Sequence, residues 1–399
     1  MHIYYSIIDP YPAYRADLAE LFGVELRKLG LQTEWFMAAV GDQVGNSDAY
    51  AGQVVHIPGK APSKHRIVAK VWYVAADLRH LGSLLFRSVD AIQCRDKYIA
   101  SLAGLLVARI RGIPFFYWCS YPFPEHGRLA ADARKGWRRQ LSKLVADVRF
   151  FLLYRVICRL ADHVFVQSSR MQADMHAYGV PLASMTPVPM GVSVRILDWS
   201  TIHRPPVVPL RVAYVGTLAA IRRLDILLDA MVLVMQKVPG AQLVIVGEGD
   251  YPHERQALAA RAAGLGLVDR ILFTGFLPME KAWLLAASAA VCVSPLWPNP
   301  VLAAGSPTKL VEYLALGRPV VCNDHPEQSE IIAQSGAGLC VEWSATAFAD
   351  AIVRLLTDPV AAEAMARRGP AWVAANRTYP IIAQPVWRKY QSLMTGAHA

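Results

Sequence analysis

Apolar positions along this chain fall into short runs separated by stretches with helical spacing. In the first half, runs that read as strands lie at 2–8, 32–37, 53–57, 91–93, 115–118 and 163–167. Helical spacing of apolar residues predicts helices at 17–29, 67–81 and 100–111. A proline-rich stretch at 201–209 breaks the pattern. A second series of strands then follows at 211–215, 242–246, 270–274, 290–294, 319–323 and 339–341. These strands are short and β-branched, as expected where helices cover both faces of a sheet. The alternation predicts an α/β chain with two doubly wound, Rossmann-like parallel sheets. The expected domains are 1–204, 205–378 and a C-terminal helix at 379–399 that crosses back to the first domain. In such sheets ligands bind at the carboxyl ends of the strands, and two facing domains would leave a cleft between them.

Composition narrows the class. The chain has 399 residues, 54% of them hydrophobic and 18% charged, which suits a folded chain with two cores. No apolar run reaches the length of a membrane span. The N-terminus lacks a basic leader and reads as a first strand, not a signal peptide. The six cysteines, at 94, 119, 158, 292, 322 and 340, are scattered and form no Cys-x-x-Cys pair. Zinc and disulfide frameworks are therefore not expected, and buried reduced thiols in a cytoplasmic protein are.

The most informative stretch is Ser306-Pro307-Thr308-Lys309-Leu310-Val311-Glu312-Tyr313-Leu314-Ala315-Leu316-Gly317-Arg318-Pro319-Val320-Val321. Ser306 suits an N-cap and Pro307 the first helical position. Leu310, Val311 and Leu314 give the helix an apolar face, and Gly317 closes it before a buried strand. The start of such a helix aims free backbone N–H groups and the positive end of its dipole at one point, a site for a phosphate or diphosphate. Glu312, nearly two turns in, is an acceptor able to reach a sugar hydroxyl.

Five segments together resemble family 4 glycosyltransferases. They are Ala161–Ser169 with Thr186–Val192; Tyr214-Val215-Gly216-Thr217-Leu218 with Arg222 and Leu224–Ala230; Leu243–Asp250; Phe273-Thr274-Gly275-Phe276; and the 306–321 stretch. The resemblance implies the two-domain GT-B fold, a nucleotide-sugar donor and transfer with retention of configuration. It puts Gly216, Thr217, Arg223, Gly247, Phe276, Ser306, Pro307 and Thr308 on the donor side, and Arg222, Lys309 and Glu312 at the reacting centre.

The chain departs from the family pattern in two places. The basic group after the first glycine and the later Lys-Gly pair are here Thr217 and Arg222-Arg223. Arginine suits a diphosphate clamp, and Arg222 is the first choice; the alternative is a solvated pair. The carboxylate expected eight residues before Glu312 is Ala304, so sugar recognition falls to 297–305, with Asn299 or backbone amides as candidates. Glu312 matches the family's ribose-binding Glu. Lys309 either neutralises the diphosphate or is a surface lysine. Gly247-Glu248-Gly249-Asp250 fails the dinucleotide spacing and reads as a strand-end turn. Glu330 reads as a helix-surface residue. The family needs no metal, no Asp-x-Asp is present, and no cofactor is expected.

The first half is expected to take the acceptor. Arg15, Arg95 and Asp96 follow strand ends, and Glu125 and His126 lie beyond the strand at 115–118; each has a solvated loop charge or loop salt bridge as its alternative. A retaining enzyme of this type needs no dedicated base, because the leaving diphosphate can take the acceptor proton. The net charge is +10, and from Arg134 to Arg159 there are eight Lys or Arg and one acid, Asp147. Leu141, Leu144, Val145, Val148, Phe151 and Leu152 form a stripe there, with Trp137 near its start. The segment is expected either to meet an anionic membrane or to pack on the core with a solvated basic face. No nucleic-acid motif accompanies the charge.

The sequence therefore reads as a glycosyltransferase moving sugar from a nucleotide-sugar to a saccharide or lipid-linked acceptor. The expected setting is polysaccharide or glycolipid assembly, peripheral on the inner membrane face. The alternatives are a GT-B sugar-nucleotide epimerase and a donor-binding pseudoenzyme.

Overall fold

The computed structural model describes residues 1–13, 15–39, 50, 52–58, 61 and 65–394. The chain forms two compact units. The first is Met1–Met190 with Ala304–Ser306 and the stretch from Tyr379 onward, and the second is Gly191–Ala303 with Pro307–Thr378.

The first unit holds a parallel sheet of seven strands: β1 (His2–Tyr11), β2 (Gln32–Ala39), β3 (Val54–His56), β4 (Ala91–Arg95), β5 (Phe115–Cys119), β6 (His163–Val166) and β7 (Met185–Pro187). Their order is β3-β2-β1-β4-β5-β6-β7. The short strand β7 lies outside the expected list; it extends the sheet by pairing Met185 with Val164. Strands β4 and β5 are buried along their whole length, because helices cover both faces. On one face, Leu105 and Ala108 pack with Leu153, Tyr154 and Ile157. On the other, Leu18, Leu21 and Phe22 meet Ile382, Val386 and Tyr390 of the C-terminal helix Tyr379–Met394. Those helical residues recur every three or four positions, which gives the helix one apolar face.

The second unit holds a parallel sheet of six strands: β8 (Val208–Val215), β9 (Gln242–Val246), β10 (Ile271–Gly275), β11 (Ala289–Ser294), β12 (Val320–Asn323) and β13 (Gly338–Val341). Their order is β10-β9-β8-β11-β12-β13. The unit begins earlier than the expected boundary at 204. The cause is the helix Val194–His203, which buries Ile196 and Trp199 against Trp283 and Leu314. The stretch at 201–209 is thus the end of that helix, a short link and the start of β8.

Candidate active site

At the carboxyl ends of β8, β9 and β10 stand Gly216, Gly247 and Gly275, each with positive φ. The Gly216 amide donates to Val246 O and the Gly247 amide to Gly275 O, both at 2.9 Å. The two turns are pressed so close that a Cβ on Gly247 would lie 2.0 Å from Gly216 O. Only glycine fits there, on grounds of both space and conformation.

The helix of the 306–321 stretch runs Thr308–Ala315, with Pro307 in extended conformation at the cap. It starts later than expected, and Ser306 is not the cap. The Ser306 hydroxyl instead accepts the Met190 amide at 2.9 Å, within the first unit. Gly317, with φ of 64°, ends the helix as the sequence implies. Tyr313 ties it to β8: its hydroxyl accepts the Val215 amide at 2.7 Å and donates to Val215 O at 3.2 Å. The helix start is therefore fixed beside the Gly216 turn. Thr308 stands partly exposed in the first turn.

Lys309 is buried and is not a surface lysine. Its ammonium donates to the Tyr214 hydroxyl at 3.0 Å and lies 4.5 Å from the ring centre. A Cβ on Gly216 would meet its Cε at 3.1 Å. Arg222 ends the turn Ala220–Arg222, and its Nε donates to Thr217 Oγ1 at 2.7 Å. The Tyr214 hydroxyl donates to Thr217 O at 2.9 Å. Lys309, Tyr214, Thr217 and Arg222 thus form one connected chain.

Among the described residues, no carboxylate lies within ion-pair distance of Lys309 or Arg222. Burial, and then the charge of Arg222, hold the Lys309 ammonium well below its usual range. Burial pushes the Glu312 carboxyl up to about 7, although Lys309 pulls it down. Two cations converge on a helix start, strand-end glycines and a carboxyl that is only partly ionised. Cations at a helix N-terminus oppose its dipole, so this arrangement is unfavourable until an anion arrives.

Arg223 is engaged differently. Its guanidinium forks onto Asp225 at 3.1 and 2.9 Å and lies over Trp297. Phe276 is 78% exposed just past β10, an uncovered ring beside the glycine turns. Asn299 is already engaged: its Oδ1 caps the short helix Pro300–Ala303 by accepting the Val301 and Leu302 amides. Ala304 is buried in the apolar core of the first unit, and its carbonyl accepts the Ser168 hydroxyl at 2.7 Å. A carboxylate at that position would be buried among apolar groups. Glu330 is exposed.

Two residues of the site were assigned no role from the sequence. Tyr214 offered one signal, a polar-tipped side chain in an apolar strand, which at that depth requires a partner. Glu254 accepts the Ala220 amide at 2.7 Å and the Tyr251 amide at 3.0 Å, and so shapes the turn that carries Arg222. Its bond to Ala220 spans 34 positions, so local spacing could not reveal its part in that turn.

In the first unit the expected loop charges are spent internally. Arg95 ends β4 but is fully buried, not a loop charge open to solvent. It lies 2.8 Å from Asp17, 3.4 Å from Asp9 and 3.8 Å from Asp96. Arg15 lies 3.2 Å from Asp17 and 3.9 Å from Asp9. Asp96 adopts positive φ and accepts both the amide and the hydroxyl of Ser120. Burial raises its carboxyl to about 6. Glu125 and His126 lie on the helix Phe123–Asp132 and form no pair with each other. Glu125 accepts the Tyr154 hydroxyl at 3.0 Å, and burial raises its carboxyl. His126 contacts the Tyr121 hydroxyl at 2.6 Å.

The basic segment is helical from Gly136 to Phe150 and continues as a wider helix over Phe151–Ile157. Its apolar stripe does not pack inward. Of the residues from Gly136 to Phe150 only Ala146 is buried, while Leu141, Leu144, Val145, Val148 and Phe151 are exposed and Trp137 is 69% exposed.

Comparison with known proteins agrees with this geometry. The model of "Glycosyltransferase Family 4" matches residues 19–195, and that of "Glycosyl transferases group 1" matches 209–358. The chain is 30% identical over 165 residues to a GDP-mannose-dependent alpha-(1-6)-phosphatidylinositol monomannoside mannosyltransferase of Mycobacterium tuberculosis. That match covers 40% of this chain and 41% of the relative, so the chain spans about two-fifths of the length of that curated relative. The fold is similar to sucrose-phosphate synthase of Thermosynechococcus elongatus, with a TM-score of 0.74 and 18% identity over 99% of this chain and 100% of the other. It is also similar to HepE of Anabaena in complex with UDP-glucose, with a TM-score of 0.71 and 16% identity over 98% and 100%. Two parallel-sheet units in this order, with both family models matched in turn, place the chain among the GT-B glycosyltransferases of family 4.

Proposed function

We propose that this protein transfers a sugar, with retention of configuration, from a nucleotide-sugar donor to a saccharide acceptor carried on a lipid. The observation that carries the donor half is the convergence of Lys309 and Arg222 on the start of the helix Thr308–Ala315 with no carboxylate in ion-pair reach. A donor diphosphate supplies the missing negative charge. It would accept from the helix amides, Lys309 and Arg222, and Glu312 would meet a ribose hydroxyl. As the glycosidic bond breaks, charge grows on the diphosphate, and fixed donors already aimed there stabilise the transition state more than the ground state. The same diphosphate oxygen takes the acceptor proton, so the reaction uses no separate strong base.

The names of similar proteins support both halves of the reading: one is dependent on GDP-mannose and acts on a phosphatidylinositol monomannoside, and another binds UDP-glucose. They differ in nucleotide base, so a panel of UDP- and GDP-sugars is the direct test. Turnover with one of them, abolished in Arg222→Ala, is the expected result. Thermal stabilisation by no nucleotide in the panel would overturn the donor assignment, since ligand at roughly 100 times its dissociation constant adds about 2.7 kcal/mol.

The lipid half rests on the helix Gly136–Phe150. A solvated helix normally hides its apolar stripe, yet here Leu141, Leu144, Val145, Val148 and Phe151 of the stripe, Trp137 and the basic residues Arg138, Arg139 and Lys143 are all exposed. Anionic lipid satisfies both, at about 1 kcal/mol per basic residue near the surface. Vesicles of phosphatidylglycerol and phosphatidylcholine should sediment the wild type, less so as salt rises. Reversal of Arg138, Arg139 and Lys143 to Glu should release it without slowing transfer to a soluble acceptor. Equal sedimentation of both proteins would contradict the membrane role.

A further inference from the structure

One pair of cysteines stands apart from the site described above. Cys322 on β12 and Cys340 on β13 are direct partners in parallel register, and β13 is the edge strand of its sheet. The expectation of six buried thiols holds for five; Cys340 is exposed. Its sulfur lies 3.3 Å from the Ser329 hydroxyl of the helix Pro326–Ser335.

We propose that Cys340 is a modification site, an accessible nucleophilic sulfur for peroxides and soft carbon electrophiles, with Cys322 as its resolving thiol. The surroundings favour the thiolate. The Cys322 thiol first, and then the Ser329 hydroxyl, hold the Cys340 sulfur down to about 6, against its partial burial and the charge of Asp324. The same pairing raises Cys322, which keeps its proton. The other four thiols are buried; for Cys94, Cys119, Cys158 and Cys292 burial raises the pKa, which keeps them from reacting with a reagent that arrives from solvent, whereas Cys322 has only to meet the oxidised sulfur beside it.

With hydrogen peroxide the chemistry balances in two steps. The Cys340 thiolate attacks one peroxide oxygen; an S–O bond forms, the O–O bond breaks, and hydroxide leaves and is protonated to water. Cys340 is oxidised to the sulfenic acid and the peroxide is reduced. The Cys322 sulfur then attacks the Cys340 sulfur. An S–S bond forms, the S–O bond breaks, and the thiol proton departs with the hydroxyl as water. Neighbouring strands lie about 4.8 Å apart, within the Cα separation of about 4.4–6.8 Å that disulfides span.

The test is peptide mapping of the full-length native protein after brief exposure to iodoacetamide, and separately to hydrogen peroxide. Iodoacetamide should label Cys340 at least about tenfold faster than Cys94, Cys119, Cys158 or Cys292. Peroxide should yield a Cys322–Cys340 linked peptide two hydrogens lighter than its parts. Cys340→Ser should abolish the link, and Cys322→Ser should leave a sulfenic acid that dimedone traps. The labelling arm uses the wild type, so it stands even if a variant fails to fold. Labelling of Cys340 no faster than of the buried thiols would overturn the site. Peroxide consumption of Cys340 without a linked peptide in the wild type would overturn the role of Cys322.

Discussion

Both sheets of this chain gather cations at the carboxyl ends of their strands, and they treat the charge in opposite ways. In the first unit, Arg95 and Arg15 are surrounded by Asp9, Asp17 and Asp96, and the cluster is neutralised from within. In the second, Lys309 and Arg222 converge with no carboxylate in ion-pair reach among the described residues, and Glu312 is itself only partly ionised. A count of basic residues would rank the two places alike. What separates them is the missing counter-charge. The first cluster holds the fold together; the second carries an unfavourable charge that a diphosphate would relieve.

The largest effect should come from breaking the neutral cluster. Arg95→Met leaves Asp17 and Asp96 buried without their cation. Removing one partner of a buried pair costs about 3–5 kcal/mol, which for a unit of this size lowers the melting temperature by roughly 10 °C. Nucleotide affinity, measured well below that temperature, should not change. Calorimetric unfolding alongside nucleotide titration checks both halves of the expectation.

The open cluster should respond in the reverse sense. Lys309→Met removes an uncompensated buried ammonium, so the free protein should be no less stable than wild type. Donor binding should weaken by about 1.5–3 kcal/mol, the range for a charge-assisted contact. A stability loss as large as that of Arg95→Met would erase the contrast between the two regions.

The pH dependence of Glu312 sharpens the same point. Its folded-state pKa is raised from about 4.5 to about 7. The group therefore contributes stability that is complete below about pH 4.5 and is lost as pH rises through about 7. At pH 8 the loss is on the order of 3 kcal/mol. Glu312→Gln should raise the melting temperature of the ligand-free protein at pH 8 and leave it nearly unchanged at pH 4.5. Lys309 has the opposite sign, since a depressed lysine loses stability as pH falls, so the double variant separates the two contributions.

Tyr214→Phe should give the smallest effect. It removes the hydroxyl that orients Lys309 and the Thr217 turn, at about 1 kcal/mol. Michaelis constants for a series of nucleotide donors should rise together. In a Lys309→Met background the same tyrosine substitution should have a smaller effect on them, since only its bond to Thr217 O is left to lose.

Most strand positions and the helix Thr308–Ala315 were legible because they depend on local periodicity and on turn chemistry at Gly317 and Pro319. Short β7 was not, since three residues carry too little pattern. Lys309 and Arg222 were legible as residues, but their lack of counter-charge was not. That depends on which acids the fold brings close, and Asp225 went to Arg223 while Glu254 went to backbone amides. Arg95 was misread for the same reason: its partners Asp9 and Asp17 are more than seventy positions away in the chain. Ser306 fits a local capping rule, and a tertiary contact with Met190 overrides it. The stripe at 141–151 was visible from spacing, whereas its exposure required the fold.

The most direct test compares nucleosides with their diphosphates by titration calorimetry, using uridine, UDP, guanosine and GDP against wild type and the Arg222→Ala, Lys309→Met double variant. The account predicts that for one base the diphosphate binds wild type at least about a hundredfold more tightly than the nucleoside, consistent with two charge-assisted contacts of about 1.5 kcal/mol or more each. In the double variant that advantage should largely disappear, with nucleoside binding unchanged. Retention of the full diphosphate advantage in the double variant would contradict the claim that Lys309 and Arg222 form the donor clamp.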